Sequence, residues 1–152
     1  MFINQVCTAL QKAKIPYAVV GGYAVALHGI PRGTFDIDFV IEWSLANLRK
    51  TESALTSLGL VSRIPVDAHN VFNFREEYIK KRNLIAWNFY DPLNPTHEVD
   101  IIITFDLKKA SVQTIKSSGG SIRILSRKDL IAMKKASSRP QDLEDIKSLE
   151  QL

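Results

Sequence analysis

Residues 17–41 read YAVVGGYAVALHGIPRGTFDIDFVI, and apolar runs in this stretch are separated by glycine breaks. The run Tyr17–Val20 predicts a strand, and Gly21 and Gly22 predict a tight turn into a short helix over Tyr23–His28. The glycines and proline that follow, GIPRG, predict an irregular connection. The stretch therefore reads as strand, turn, helix, loop and strand.

The second strand of this stretch, Asp36–Ile41, carries two acids in an otherwise apolar run. Because side chains on a strand alternate between its faces, Asp36 and Asp38 are expected on the same face. Like charges at that distance repel, and a nearby cation would remove the repulsion. The pattern thus predicts a positive partner for the two carboxylates.

The rest of the chain predicts an α+β fold, a mixed twisted sheet flanked by helices, in a single domain over residues 1–152. An amphipathic helix ends near Lys14, and a helix with Ser44 as N-cap closes at Gly59. The middle of the chain predicts a short strand over Val61–Ile64, a loop and short helix within 70–82, and a hairpin of Leu84–Tyr90 with Glu98–Thr104. A helix from Asp106 to about Ile115 and a strand over Ser121–Leu125 are predicted next. A helix then follows a capping box at Ser126–Asp129, and a last helix begins at Pro140, with Leu143, Ile146 and Leu149 facing inward.

Composition limits the classes of function. No apolar run approaches the length of a membrane span, and the N-terminus lacks the pattern of a signal peptide, so a soluble, cytoplasmic protein is expected. The single cysteine, Cys7, excludes an internal disulfide and by itself makes no structural zinc site. The net charge of +4 permits an anionic partner such as a nucleotide or RNA.

A third acid, Asp100, interrupts the apolar strand VDIII. Three carboxylates on one face would form an all-oxygen site suited to Mg²⁺, and two such ions could hold the attacking and leaving oxygens of a phosphoryl transfer. Gly21 and Gly22 stand at a helix start, where free backbone N–H groups can hold a triphosphate. Each motif alone is weak, and the combination favours a metal and nucleotide site.

The string VVGGYAVALHGIPRGTFDIDFVI resembles the signature of the DNA polymerase beta-type nucleotidyltransferase superfamily, with Asp100 of HEVDIII at the position of the third acid. The segment SRKDLIAMKKASSRPQDLEDI is similar to the C-terminal segment of the AbiEii-like branch. There, Lys134 or Lys135, then Arg139, Asp142 and Asp145, match a helical Lys, an Arg and an Asp-x-x-Asp. Minimal nucleotidyltransferases are of similar size, although they favour Gly-Ser where this chain has Gly-Gly.

The resemblance implies transfer of a nucleoside monophosphate from an NTP, such as ATP, to an acceptor hydroxyl or phosphate, with release of pyrophosphate. It implies that Asp36 and Asp38 bind two Mg²⁺ ions, with Mn²⁺ as an alternative, and that Asp100 binds the catalytic ion and helps to deprotonate the acceptor. Lys134 would neutralise phosphate charge, with Asp142 supporting it. Arg32 and Thr34 either contact the nucleotide or brace the loop.

The acceptor is not specified by any motif. A tRNA end or a hydroxyl of a partner protein, in a toxin–antitoxin or phage-defence setting, is the first expectation, and a small antibiotic is the alternative within the same enzyme class. A non-catalytic nucleotide-binding antitoxin that acts by protein contact is the alternative from another class. The choice of NTP, the toxin or antitoxin role and the oligomeric state all stay open.

Overall fold

We describe a computed structural model that covers residues 1–152. Its helices are α1 (Phe2–Lys12), α2 (Gly21–Leu27), α3 (Leu45–Ser57), α4 (Ala68–Asn73), α5 (Arg75–Arg82), α6 (Arg127–Ser137) and α7 (Pro140–Glu150). Its strands are β1 (Tyr17–Val20), β2 (Ile37–Ile41), β3 (Val61–Ser62), β4 (Ala86–Asp91), β5 (Asn94–Ile102), β6 (Val112–Ser117) and β7 (Gly120–Leu125). The predicted α+β class is confirmed.

All seven strands form one mixed sheet in the order β3-β4-β5-β2-β1-β7-β6. The central strand β2 pairs antiparallel with β1 and parallel with β5, and β1 pairs parallel with β7. The stretch 17–41 therefore supplies two neighbouring strands at the middle of the sheet. The predicted hairpin is confirmed as β4 and β5, whose antiparallel register joins Asn88 to Asp100.

The one acid of β2, Asp38, lies on the opposite face from three core residues of the same strand. Ile37, Phe39 and Ile41 are fully buried on one side of the strand, whereas Asp38 points to the other side and is partly accessible. Ser44 caps α3, its Oγ accepting a hydrogen bond from the Asn47 backbone N–H at 3.0 Å, as predicted. No helix of the protein is both long and apolar enough to cross a membrane.

The helix predicted from Asp106 to Ile115 is wrong. Asp106 caps only a 3₁₀ turn over Leu107–Lys109, and the chain then enters β6, which pairs antiparallel with β7. Val112, Thr114 and Ile115 are β-branched, which favours a strand once a partner strand lies alongside. The pattern of the segment alone could not reveal that partner.

Two further expectations need correction. The segment 70–82 lies in two helices, α4 and α5, rather than in a loop and one short helix. Leu143 does not face inward and is 51% exposed, because the buried stripe of α7 comprises Asp142, Asp145, Ile146 and Leu149. Two acids thus occupy helix positions that the sequence pattern assigned to solvent.

Candidate active site

Two of the three predicted acids face each other across neighbouring strands. Asp38 on β2 pairs in register with Asp100 on β5, and the two carboxyl groups are close enough to hydrogen bond. Both strands run parallel, and their buried apolar residues alternate with these acids. The Asp38–Asp100 pair therefore lies on the accessible face at the centre of the sheet.

Asp36 lies immediately before β2, where it is exposed and close to Glu98 rather than to the centre of the pair. Burial, and the charges of Glu98 and Asp100, raise the pKa of Asp36. The four acids therefore stand in two rows, Asp36 with Glu98 and Asp38 with Asp100. No three acidic, His or Cys side chains are gathered at metal-ligand spacing.

Gly21 brings the glycine turn into contact with the acid pair. Val20, the last residue of β1, pairs with Asp38, so the next residue lies beside the carboxyl group. Gly21 has φ +66°, and a Cβ atom at this position would overlap Asp38 Oδ2. A Cβ atom on Gly22 would lie 3.0 Å from Thr34 Cβ. The turn therefore requires glycine at position 21 for both conformation and space.

The acid pair has the donor chemistry that a hard divalent cation needs. Burial, followed by the charge of Asp100, raises the pKa of Asp38 to about 7, and the more distant Arg139 acts in the opposite direction. No Lys or Arg side chain forms a salt bridge with Asp38 or Asp100. A cation bound by both carboxylates would remove the repulsion that disfavours their ionised forms.

The raised pKa of Asp38 predicts how pH acts on the metal-free protein. Because the unfolded pKa is near 3.8 and the folded one is about 7, the folded state binds the extra proton between these values. The free energy of unfolding in EDTA is therefore expected to fall as pH rises from about 4 to 7. Urea unfolding at several pH values should show this slope, and Asp38→Asn should reduce it.

Added Mg²⁺ is expected to stabilise the wild-type protein most above pH 7, where Asp38 is ionised without it. The Asp38→Asn variant should gain little from Mg²⁺ at any pH. A metal-free stability that is independent of pH between 4 and 7 would contradict the assigned burial and charge repulsion of Asp38.

A cavity of about 510 Å³ lies between the sheet and α6, and the acid pair opens into it through Asp38. Gly21 lines it together with Lys134 and Arg139. Its other walls are mainly apolar, and they include Ile85, Ile102, Phe105, Leu130 and Met133. The cavity combines an acidic and basic mouth with walls suited to a planar or apolar group.

Lys134, and not Lys135, faces this cavity. Its side chain is buried, and its ammonium group lies 2.9 Å from Asp145 Oδ2 and 3.5 Å from Asp142 Oδ1. Lys135 is exposed and lies 3.7 Å from Glu150 Oε1. The structure therefore ties the ammonium group of Lys134 to α7 through two carboxylates.

The carboxylates of Asp142 and Asp145 are buried but ionised. Burial acts to raise their pKa values, yet hydrogen bonds outweigh it and lower both. Asp142 accepts from the Arg139 side chain at 2.9 Å and from Ser137 Oγ at 2.6 Å, whereas Asp145 accepts from Lys134, Arg32 and Gln141. This cluster holds α6, α7 and the loop before β2 together.

Removing the buried ammonium should be costly. Lys134→Met leaves two buried carboxylates without their shared cation and is expected to lower the free energy of unfolding by about 3–5 kcal/mol. Lys135→Met is the matched control, and because its ion pair is exposed it should cost less than about 1 kcal/mol. Urea unfolding of both variants measures the difference, and equal costs would contradict the buried network.

Arg32 and Thr34, for which the sequence left nucleotide contact or bracing of the loop open, make contacts that brace the loop before β2. Arg32 donates from Nε to Asp145 Oδ1 at 3.2 Å and from Nη1 to the Gly33 carbonyl, and Thr34 Oγ1 donates to the Asp36 carbonyl at 3.4 Å. These contacts position the loop that carries Asp36. His28 is the C-cap residue of α2, and its Nε2 lies 2.9 Å from the Leu125 carbonyl.

Sequence reasoning missed three residues near the acids, namely Arg63, Asn88 and Glu98. Arg139, which the sequence indicated by resemblance, lines the cavity. Glu98 could have been found, because Glu98-x-Asp100 repeats the spacing of Asp36-x-Asp38 on the paired strand. Arg63 and Asn88 carry no motif. Their place depends on the pairing of the edge strand β3 with β4.

A search of protein-family models finds no match, and a search of curated protein sequences finds none either. Several solved structures are similar to the structure of this chain. The antibiotic-resistance factor ANT(2'')-Ia has a TM-score of 0.64 at 14% identity, over 97% of this chain and 80% of its own. The lincosamide antibiotic adenylyltransferase LnuA has a TM-score of 0.60 at 15% identity, over 93% of this chain and 89% of its own.

A third similar structure is an antigenic nucleotidyltransferase-like protein from Paracoccidioides brasiliensis, with a TM-score of 0.56 at 18% identity, over 97% of this chain and 72% of its own. Each of these likenesses covers nearly the whole of this chain. At such low identity they bear on the fold alone. The chain has the fold of nucleotidyltransferases.

Proposed function

We propose that this protein is a Mg²⁺-dependent nucleotidyltransferase that transfers a nucleoside monophosphate from an NTP to an acceptor. The observation that carries the proposal is the Asp38–Asp100 pair, uncompensated by any salt bridge and in contact with the Gly21 turn at the mouth of a cavity. Paired carboxylates without a cation are costly to a fold. A divalent metal ion bound between the two carboxylates would compensate their charges.

The reaction requires one bond to form and one to break. The acceptor oxygen attacks the α-phosphorus of the NTP, the bond between the α-phosphorus and the bridging oxygen breaks, and pyrophosphate leaves. The acceptor proton must pass to a base. Asp100 is the proposed base, since it lies beside Asp38 on the accessible face of the sheet and Asn88 holds its carboxylate through Oδ1.

Asp38 and Asp100 would hold the metal, and Asp36 is the proposed third ligand. Bound Mg²⁺ would supply charge neutralisation on the phosphate oxygens, and two ions are proposed, with Mn²⁺ as a substitute. Asp36 precedes β2 and interacts with Glu98 as well as with Asp100, so its part in metal binding is a proposal distinct from that of the pair.

The nucleotide is proposed to bind on the side of Gly21, Gly22 and the cavity. Arg139 is well placed for a phosphate, because its side chain is 72% exposed at the cavity mouth and its charge reaches Asp38. Lys134 adds a second positive charge, although two carboxylates already hold its ammonium group. The apolar walls suit a nucleobase.

Two acceptor settings are proposed. One is a tRNA end or a hydroxyl of a partner protein in a toxin–antitoxin or phage-defence system, in line with the AbiEii-like and minimal nucleotidyltransferase resemblance of the sequence. The other is an antibiotic, because ANT(2'')-Ia has been described in complex with adenylyl-2''-tobramycin and LnuA with lincomycin bound. No contact in the site favours one acceptor over the other.

The test uses each of the four NTPs labelled at the α-phosphate, with Mg²⁺ and, in separate reactions, total RNA, cell lysate, tobramycin or lincomycin. The expected result is label on one acceptor together with pyrophosphate release. NTP binding without transfer in any arm would favour a non-catalytic nucleotide-binding module. Neither binding nor transfer with any NTP would refute the proposal.

A further inference from the structure

A chain of hydrogen bonds runs from the edge of the sheet to Asp100. Arg63, which directly follows β3, donates from Nε to Asn88 Oδ1 at 2.7 Å. Asn88, on β4, donates from Nδ2 to Asp100 Oδ1 at 2.8 Å. Asn88 is the amide donor to the Asp100 carboxylate, so this chain of hydrogen bonds restrains how that carboxylate is turned.

The order of donors and acceptors allows one arrangement only. Arginine has only donors, so the Asn88 oxygen must face Arg63 and the Asn88 amide nitrogen must face Asp100. Without Arg63 the Asn88 oxygen would lose its donor, and the amide would be held by fewer contacts. With Arg63 in place, Asn88 occupies Asp100 Oδ1 and leaves Oδ2 available to Asp38 or to a cation.

Further contacts hold Arg63 in place. Its guanidinium group lies over the Tyr90 ring at 4.4 Å from the centroid, and its Nη2 donates to Glu98 Oε1 at 2.7 Å. The Arg63 backbone N–H donates to the Asn88 carbonyl at 2.9 Å. The planar guanidinium group bonds Asn88 from Nε and Glu98 from Nη2, two nitrogens held in a fixed geometry. A lysine could balance the charge of Glu98, but its single nitrogen cannot reproduce both bonds in that geometry.

We propose that Arg63 and Asn88 are positioning residues that orient Asp100, so that its Oδ2 is presented to the divalent cation shared with Asp38. The inference rests on the proposed function, because it assigns that oxygen to metal binding. Arg63 also occupies Glu98, which keeps that carboxylate from competing with Asp100 for the cation. Neither residue touches the reacting groups, so both act through Asp100.

The test measures the dissociation constant of Mn²⁺, without nucleotide, by electron paramagnetic resonance on the chain of residues 1–152. Asn88→Ala and Arg63→Lys are each expected to weaken Mn²⁺ binding by about 10-fold or more, the usual cost of losing a group that orients a metal ligand. Arg75→Lys is the matched control. Arg75 also lies over an aromatic ring, Trp43 at 4.3 Å, and donates from Nε to a backbone carbonyl, but it touches no acid of the site.

The outcomes distinguish the positioning role of Arg63 and Asn88 from the proposed metal binding itself. Mn²⁺ binding by the wild type, with weaker binding by both variants and an unchanged constant for Arg75→Lys, supports the positioning role. Wild-type affinity in a folded Arg63→Lys variant would overturn it, because charge without the guanidinium geometry would then suffice. An equal loss in Arg75→Lys would also overturn it, and absence of Mn²⁺ binding by the wild type would refute the proposed metal chemistry together with this inference.

Discussion

Replacing Asp38 or Asp100 by Asn is expected to lower the rate of nucleotidyl transfer by at least about 10²–10³-fold, the cost of losing one preorganised electrostatic contact to the reacting groups. Asparagine keeps the size of the side chain and removes the negative charge that the cation requires. The two residues face each other across β2 and β5, so the double variant should lose little more than either single one. Transfer of α-labelled NMP at saturating Mg²⁺ measures the loss.

Asp91→Asn is a suitable control for these substitutions. Asp91 ends β4 of the same sheet, and its Oδ1 accepts from the Leu93 backbone N–H at 2.8 Å, a contact that asparagine retains. Its transfer rate should match that of the wild type. A rate in Asp38→Asn or Asp100→Asn that equals the rate of this control would remove the acid pair from the mechanism.

Gly21→Ala is the second substitution with a large expected effect. Position 21 has φ +66°, so alanine is expected to cost about 1–2 kcal/mol of stability from its left-handed conformation alone. Its Cβ atom would also overlap Asp38 Oδ2, and the carboxylate must turn away from its place beside Asp100. We therefore expect transfer to become undetectable and Mg²⁺ to lose its stabilising effect.

Gly59→Ala separates the effect of the left-handed backbone conformation from the effect of the overlap with Asp38. Gly59 also has a positive φ, +87°, but a Cβ atom there meets nothing within 4 Å. The control should lose stability by an amount similar to the conformational part of the Gly21→Ala loss, and it should keep full transfer activity. Thermal unfolding with and without Mg²⁺ measures the loss of stability. Retained Mg²⁺ stabilisation in Gly21→Ala would show that Asp38 does not depend on the glycine turn.

The stretch 17–41 allowed much of the fold and half of the site to be predicted, because its signals are local. Alternation of apolar residues placed β1 and β2, and the period of two placed Asp38 on the face away from the core. Glu98 and Asp100 are also two residues apart, so the sequence already contained the spacing that puts Glu98 on the same face as Asp100. Local pattern is sufficient where one strand carries the whole signal.

Features that depend on pairing were out of reach. The segment 112–117 became a strand because β7 lies beside it, and Arg63 reaches Asn88 because β3 pairs with β4. Burial of Asp142 and Asp145 follows from their contacts with Lys134, Arg32 and Arg139, which come from three parts of the chain. The first turn of a helix after proline favours acids for its dipole, and that local reason hid the buried network.

The central claim is that the acid pair transfers an NMP with Mg²⁺, and a double-label reaction tests it most directly. One NTP, labelled at the α-phosphate in one reaction and at the γ-phosphate in another, is incubated with Mg²⁺ and acceptor, using the wild type and Asp38→Asn. The account predicts that the wild type places the α-label on the acceptor and the γ-label in pyrophosphate, and that Asp38→Asn does neither. Transfer of the γ-label to the acceptor, or equal α-label transfer by Asp38→Asn, would contradict it.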